Sequence, residues 1–137
     1  MARFWILLLL TLLAPSAWAD LVLVVGRDSP IASLSREQAE RFYLGRGTAF
    51  PDGTPVGLLD LPPGNLRDQF YLRLTGKNPI QIRAYWSRQV FTGRARPPRE
   101  VGSPAELRAL LVQNPNLLGY LADGDADATV KVLLRLE

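Results

Sequence analysis

Apolar residues follow one another without interruption in some stretches of the chain, and elsewhere they recur at regular intervals. The continuous runs at residues 21–25 and 55–61 predict buried strands, because a strand covered on both faces is apolar throughout. Residues 116–122 predict a short third strand. Residues 129–137 alternate apolar and polar positions, which is the period of a half-exposed strand. The apolar positions of this last strand, expected to face inward, are Val130, Val132, Leu134 and Leu136.

Capping residues and apolar positions three or four residues apart predict four helices. Ser35 and Gln38 form a capping-box pattern that starts the first helix, and Gly45 is placed to end it. The second helix is predicted to begin with Asn65 as its N-cap and to end at Gly76.

The third predicted helix carries two aromatic residues, Tyr85 and Trp86, on its apolar stripe. Asn78 and Pro79 supply its N-cap and first residue, and Gly93 terminates it. Core packing of Tyr85 and Trp86 is favoured over ligand stacking, because both lie on one apolar stripe. The stripe consists of Ile82, Tyr85, Trp86 and Val90.

The remaining pattern completes the order of elements. Residues 94–99 are predicted to form a basic, proline-stiffened loop. The fourth helix is predicted to start at a second capping box, Ser103 with Glu106, and to end before Pro115. The order is then strand, helix, strand, three helices and two strands. It predicts an α/β fold with three layers, a mixed sheet with flanking helices.

The first residues have the features of an export signal. Arg3 supplies a positive charge, residues 4–13 are almost entirely apolar, and Ala17-Trp18-Ala19 has the small-x-small pattern of a signal-peptidase site. The apolar run is roughly ten residues long, shorter than the about twenty that span a bilayer. We therefore expect a signal peptide at residues 1–19, cleavage after Ala19, and one exported domain at residues 20–137. An uncleaved membrane anchor is the alternative.

Composition excludes several classes of function. The chain has no cysteine and no histidine, so it cannot build a thiol nucleophile, a histidine base or a histidine-bearing metal site. The formal net charge of +3 is too small to argue for nucleic acid binding. We expect a protein that is not an enzyme and that binds no cofactor.

Alternating carboxylates at Asp123, Asp125 and Asp127 raise the question of a calcium site. An EF-hand loop requires glycine at its sixth position and glutamate at its twelfth. Counted from Asp123, those positions hold Ala128 and Leu134. The segment is therefore predicted to be an acidic hairpin turn, and no metal site is expected.

Residues 34–53 form a block more particular than a generic helix and turn. A Leu-Ser helix start leads to Phe-Tyr-Leu-Gly at residues 42–45 and Pro-Asp-Gly at residues 51–53. This order resembles the helix-to-loop segment of the type II periplasmic substrate-binding proteins, especially the phosphate-binding ones. Residues 85–93 are similar to a helix end in short relatives of that family. Residues 115–120 are similar to its Pro-Gly-x-Ile-Gly-Tyr segment.

The resemblance implies a fold and a function. Family members have two lobes and more than twice this length. The resemblance therefore implies that residues 20–137 form a periplasmic-binding-protein-like domain, located in the periplasm, with the architecture of one lobe. It implies non-catalytic binding of phosphate or another small oxyanion, together with a partner that is an ABC transporter or a sensor protein.

The chain departs from the family at the loop that cradles phosphate. The family has Ser-Gly-Thr at a helix N-terminus, whereas this chain has Pro-Pro-Gly-Asn-Leu at residues 62–66. Prolines contribute no N–H donors, and the hydroxyls are missing. An alternative hypothesis is therefore a periplasmic protein–protein interaction or sensor-accessory module that has lost small-ligand binding.

Two groups of residues are candidate sites. The first is an anion site at the start of the second helix, where Asp60 could accept a hydrogen bond from a protonated oxyanion; its members are Asp60, Gly64, Asn65 and Arg67. The alternatives are a capped helix with a surface arginine, and Asp60 paired with Arg67 or capping a loop. The second group is a guanidinium cluster for an anion or an acidic partner, with a solvated basic loop as its alternative: Arg94, Arg96 and Arg99.

Overall fold

The computed structural model describes residues 20–137, so the predicted signal peptide, residues 1–19, lies outside the described residues. The strands are β1 (Leu21–Gly26), β2 (Gly57–Asp60), β3 (Arg99–Glu100), β4 (Leu117–Ala122) and β5 (Val130–Leu136). The helices are α1 (Arg36–Tyr43), α2 (Asn65–Thr75), α3 (Pro79–Phe91) and α4 (Pro104–Gln113), and a 3₁₀ turn (Asp123–Asp125) follows β4.

The five strands form one mixed sheet in the order β3-β2-β4-β1-β5. β2 runs parallel to both β3 and β4, whereas β1 is antiparallel to its neighbours β4 and β5. All six residues of β1 are buried, as its continuous apolar run predicts. The predicted α/β class with a mixed sheet is confirmed.

Two adjacent residues of β4 show that helices cover both faces of this sheet. A side chain at Gly119 would meet Leu107 of α4 at 2.9 Å. The ring of Tyr120 instead stacks on Phe70 of α2, with ring centroids 3.6 Å apart. Successive residues of a strand point to opposite faces. Therefore α4 covers one face and α2 the other, which makes three layers.

A close approach of two backbones explains the glycine at the end of β1. A Cβ atom at Gly26 would lie 2.2 Å from the carbonyl oxygen of Leu111 in α4. Carbon and oxygen cannot come so near each other, so only glycine lets α4 pack this closely against β1.

The helix starts follow the sequence in two cases and differ in two. Ser35 and Asn78 each make a complete capping box, as predicted for α1 and α3. The prediction of Asn65 as N-cap is wrong, because Gly64 is the N-cap of α2 and makes no side-chain cap hydrogen bond. Ser103 caps α4, but the Glu106 carboxylate accepts from Gly102 N, so the second capping box is only half formed.

The inward alternation predicted for the last strand is wrong at its centre. Val132 is exposed and Leu133 is buried, because the register with β1 shifts between Leu23 and Val24. One extra residue on β5 at this β-bulge exchanges the faces of the strand. The prediction of an acidic hairpin turn at residues 123–127 is also wrong. The strands on either side of it, β4 and β5, pair with opposite edges of β1 and not with each other.

Two further differences concern α3 and the segment that follows it. Val90 was predicted to share the buried stripe of α3, but it is exposed, whereas Ile82 and Trp86 are buried and Tyr85 is partly buried. The predicted loop at residues 94–99 ends in a strand, because Arg99 pairs with Leu59 in a short parallel ladder.

Candidate functional site

A cleft of about 690 Å³ opens where the carboxyl end of β2 meets α2, α3 and the segment leading into β3. Apolar side chains line much of it, among them Ile82, Trp86, Phe91, Pro97 and Pro98. Its charged lining consists of Asp60, Arg67, Asp68, Arg83 and Glu100. Concave sites of this size, mainly apolar with a few polar groups, are typical of ligand sites.

Asp60 anchors the polar part of the cleft from the last position of β2. The residue is only 2% exposed, and its carboxylate accepts hydrogen bonds from the hydroxyls of Tyr71, at 2.7 Å, and Tyr120. The Tyr120 oxygen in turn accepts from the backbone N–H of Leu61. Both carboxylate oxygens therefore have donors, which a buried charge requires.

Burial raises the pKa of Asp60 above its usual value, while the hydrogen bonds from Tyr120 and Tyr71 and the charge of Arg67 act to lower it. Burial, followed by the charge of Asp60, also raises the pKa values of Tyr71 and Tyr120. The two tyrosine hydroxyls consequently remain protonated donors at neutral pH.

Arg67 extends this network toward solvent. Its Nε lies 3.4 Å from a carboxylate oxygen of Asp60, and its Nη1 lies 2.9 Å from Glu100 at the end of β3. The predicted alternative that Asp60 pairs with Arg67 therefore describes the structure. The guanidinium is shared between two carboxylates, one buried and one exposed.

The first turn of α2 forms the wall of the cleft next to this network. Pro63, Arg67 and Asp68 all line the cavity. Gly64 and Asn65 are exposed, and Gly64 offers no side chain to cap the first N–H groups. A helix N-terminus without a side-chain cap leaves donors for water or a ligand.

The three arginines of the second candidate group are all exposed. Within residues 20–137, neither an ion pair nor a side-chain hydrogen bond holds Arg94, Arg96 or Arg99. Their neighbours Pro97 and Pro98 line the cleft. The structure thus places this group beside the cleft rather than within the Asp60 network.

Sequence reasoning missed Tyr71 and Tyr120 as partners of Asp60, and Glu100 as a partner of Arg67. The two tyrosines lie 11 and 60 positions from Asp60, and Glu100 lies 33 positions from Arg67, so no local spacing joins them. One general rule could have suggested the two tyrosines, because a buried tyrosine hydroxyl usually requires a hydrogen-bond partner. Asp60, at the end of an apolar run, was an available acceptor.

The raised pKa of Asp60 predicts a pH dependence of stability. The folded protein holds this proton more tightly than the unfolded chain does. Its contribution to the free energy of unfolding is therefore fully present below the ordinary aspartate pKa of 3.8, and it is lost as the pH rises through the folded pKa. Urea unfolding of wild type and of Asp60→Asn at several pH values should show the wild type gaining stability relative to the variant on acidification. A difference that is constant with pH would contradict this.

The part of the chain that the structure describes offers no cluster of metal ligands. It contains no group of three acidic, cysteine or histidine side chains placed to hold a metal ion. No helix within residues 20–137 has the length and apolar character to cross a lipid bilayer.

Known proteins resemble this chain in fold but not in sequence. No protein-family model and no curated protein matches the sequence. Solved structures do match over 84% of the chain. One is a putative phosphate ABC transporter substrate-binding protein with bound phosphate from Clostridium perfringens (TM-score 0.65, 17% identity, 45% of that chain covered). Others are PstS from Borrelia burgdorferi (0.63, 13%, 47% covered) and an ABC-type phosphate transport receptor from Vibrio cholerae (0.55, 19%, 46% covered).

These matches are low in sequence identity and high in coverage of the chain, so they establish the fold. The chain spans less than half the length of each of these proteins. The chain therefore shares the fold of periplasmic phosphate-binding proteins over less than half of their length.

Proposed function

We propose that this protein is an exported, non-catalytic binding module that takes phosphate or a related oxyanion at the first turn of α2. The observation that carries the proposal is the helix start at Gly64, which has no side-chain cap and lies between Pro63 and Arg67, two residues that line the cleft. Backbone N–H groups and the positive end of the helix dipole favour an anion there. Arg67 adds a guanidinium that can bind two oxygens at once.

The likeness in fold supports a binding role. The Clostridium perfringens neighbour has bound phosphate, and the other two neighbours are a phosphate transport receptor and PstS. Periplasmic export agrees with the sequence pattern of residues 1–19. A membrane transporter or a sensor protein would then receive the loaded module.

The acidic residues of the cleft set the expected affinity. Glu100 and Asp60 already share the Arg67 guanidinium, and Asp68 is exposed in the first turn of α2. An incoming oxyanion has to compete with Glu100 for Arg67. We therefore expect weak binding, and we expect Glu100→Gln to bind the anion more tightly than wild type because the competing charge is gone.

Thermal unfolding in phosphate, sulfate and chloride at equal ionic strength tests this proposal. At saturating phosphate, about 100 times Kd, binding adds about 2.7 kcal/mol of stability. This corresponds to a rise in Tm of at least about 4–8 °C for a small domain. Glu100→Gln should reach the same rise at lower phosphate. Glu106→Gln, on α4, is the matched control and should not change the phosphate concentration needed. The absence of a specific shift with any oxyanion would overturn the proposal.

A protein-interaction module is the second candidate function, and a specific observation favours it. Phe91 at the end of α3 lines the cleft but is 92% exposed, and the neighbouring Val90 is 53% exposed. Exposed apolar side chains that border an apolar cleft are typical of surfaces that bind another protein. A partner side chain in the cleft would cover both.

A further inference from the structure

Charge is distributed unevenly along the part of the chain that forms α3 and the segment after it. Between positions 77 and 99 there are six basic residues and no acidic residue: Lys77, Arg83, Arg88, Arg94, Arg96 and Arg99. All five arginines of this set are exposed. The acidic residues that line the cleft belong to β2, α2 and β3. The charged side chains that this segment contributes to the surface are therefore all positive.

The same helix also exposes large apolar side chains. Ile80 is 76% exposed and Phe91 is 92% exposed. They lie eleven residues apart, or about three helical turns, and so fall on one line along α3. The residues between them on this line, Ala84 and Ser87, are small. The result is an apolar strip that a second chain can approach closely.

A concave surface continues from this strip. Phe91 and Ser87 belong both to the strip and to the lining of the cleft, whose lining also includes Trp86 and Pro97. Trp86 is 9% exposed, and its indole N–H has no hydrogen-bond partner among the described residues. The concave surface next to the strip is therefore largely apolar, with Trp86 in its wall.

We infer that this α3 surface, formed by Ile80, Phe91, the cleft and the arginines from 83 to 99, binds an acidic amphipathic segment of another protein. Apolar side chains of the segment would enter the cleft and cover Phe91. Its carboxylates would pair with the exposed arginines, whose guanidinium groups match carboxylates in a bidentate manner. The inference rests on the second candidate function and does not require that an oxyanion binds at α2.

Two other occupants fit the observations less well. A second copy of this chain would bring the same positive surface against itself, and like charges facing each other across an interface cost several kcal/mol. An anionic bilayer would satisfy the arginines, but a planar surface leaves a cleft of about 690 Å³ unfilled. An acidic amphipathic segment fits both, because its carboxylates can pair with the exposed arginines around the cleft while its apolar side chains occupy the cleft itself.

Trp86 offers a direct readout of binding. Of the three tryptophans, it alone lies within residues 20–137. We expect the fluorescence of Trp86 to change when a short synthetic amphipathic peptide is titrated into a solution of the protein comprising residues 20–137. The peptide carries leucines on one face and glutamates on the other. The same peptide with lysine in place of glutamate, and vesicles of phosphatidylglycerol, are the comparison ligands.

Variants separate the apolar from the charged contribution. Phe91→Ser should weaken binding of the glutamate peptide about tenfold, as expected for an apolar anchor. Val112→Ser, an exposed position on α4, is its control. Serine at Arg94, Arg96 and Arg99 together should weaken binding about tenfold at low salt. Serine at Arg27, Arg36 and Arg135 removes the same charge elsewhere and should change it less than about twofold.

Each outcome decides the inference. Tight binding of the glutamate peptide, lost in the Phe91 and arginine variants alone, supports it. Equal binding of the glutamate and lysine peptides, binding of vesicles without binding of the peptide, or no binding at all would overturn it. The phosphate-dependent rise in Tm is measured separately, so the failure of one proposal leaves the other standing.

Discussion

Replacing Asp60 with alanine is expected to lower the free energy of unfolding by about 3–5 kcal/mol, because it leaves buried polar groups without partners. The hydroxyls of Tyr71 and Tyr120 would each lose their carboxylate acceptor. Within residues 20–137, Arg67 would retain only the exposed Glu100 as a counter-ion. A loss of this size is a large fraction of the about 5–15 kcal/mol that stabilises a typical domain.

Urea unfolding at neutral pH measures this effect, and a neighbouring carboxylate provides the control. Asp68 lines the same cleft but is exposed, so Asp68→Ala should change stability by less than about 0.5 kcal/mol. Equal losses for the two variants would show that the Asp60 network does not stabilise the fold. Tyr71→Phe should fall between them, since it removes one hydrogen bond and keeps the packing of the ring.

Phe70→Ala is expected to destabilise the protein by about 3–5 kcal/mol for a different reason, the loss of apolar packing. Phe70 is fully buried, its ring stacks on Tyr120, and it meets Tyr43 edge to face with centroids 4.8 Å apart. Alanine would leave a cavity between α2 and β4. The two tyrosines around it are held by hydrogen bonds to Asp60 and to the backbone oxygen of Leu59, which restricts how far they can relax.

A second phenylalanine in a helix provides the matched control. Phe91 is 92% exposed, so Phe91→Ala removes the same atoms from a surface and should change stability by about 0.5 kcal/mol or less. Both variants can be compared by the midpoint of urea unfolding and its slope. A loss in Phe70→Ala no larger than in Phe91→Ala would contradict the packing assigned to the contact between α2 and β4.

Together these expectations divide the cleft into two functional parts. Asp60, Tyr71 and Tyr120 satisfy one another, and their main effect is on stability. The groups that remain available to a ligand lie at the rim: the first turn of α2, the exposed edge of Arg67 and the α3 surface. Both proposed functions are therefore expected to respond to rim substitutions that leave the fold intact.

Local patterns in the sequence suffice for some features of the fold. The capping boxes at Ser35 and Asn78 were predicted correctly because they need only residues within one turn. The continuous apolar run of β1 was correct because a strand inside the sheet is buried on both faces. Both features can be read from neighbours in the chain alone.

The errors arise where a distant part of the chain decides. The alternation in β5 was broken by its pairing with β1. Arg99 lies in a strand because it pairs with Leu59 at the edge of β2. Val90 is exposed instead of buried because its side chain lines an open cleft, where no other element covers it within residues 20–137.

By itself, the sequence determined the α/β class, the helix starts at Ser35 and Asn78, and the candidate position of Asp60 beside Arg67. Only the tertiary structure decided that Asp60 is held by Tyr71 and Tyr120 and that Arg67 is shared with Glu100. The physical reason is that caps and periodicity are local, whereas a buried charge takes its partners from whichever strands and helices pack around it. The exposed apolar and basic surface of α3 was decided in the same way, by the absence of a covering layer within residues 20–137.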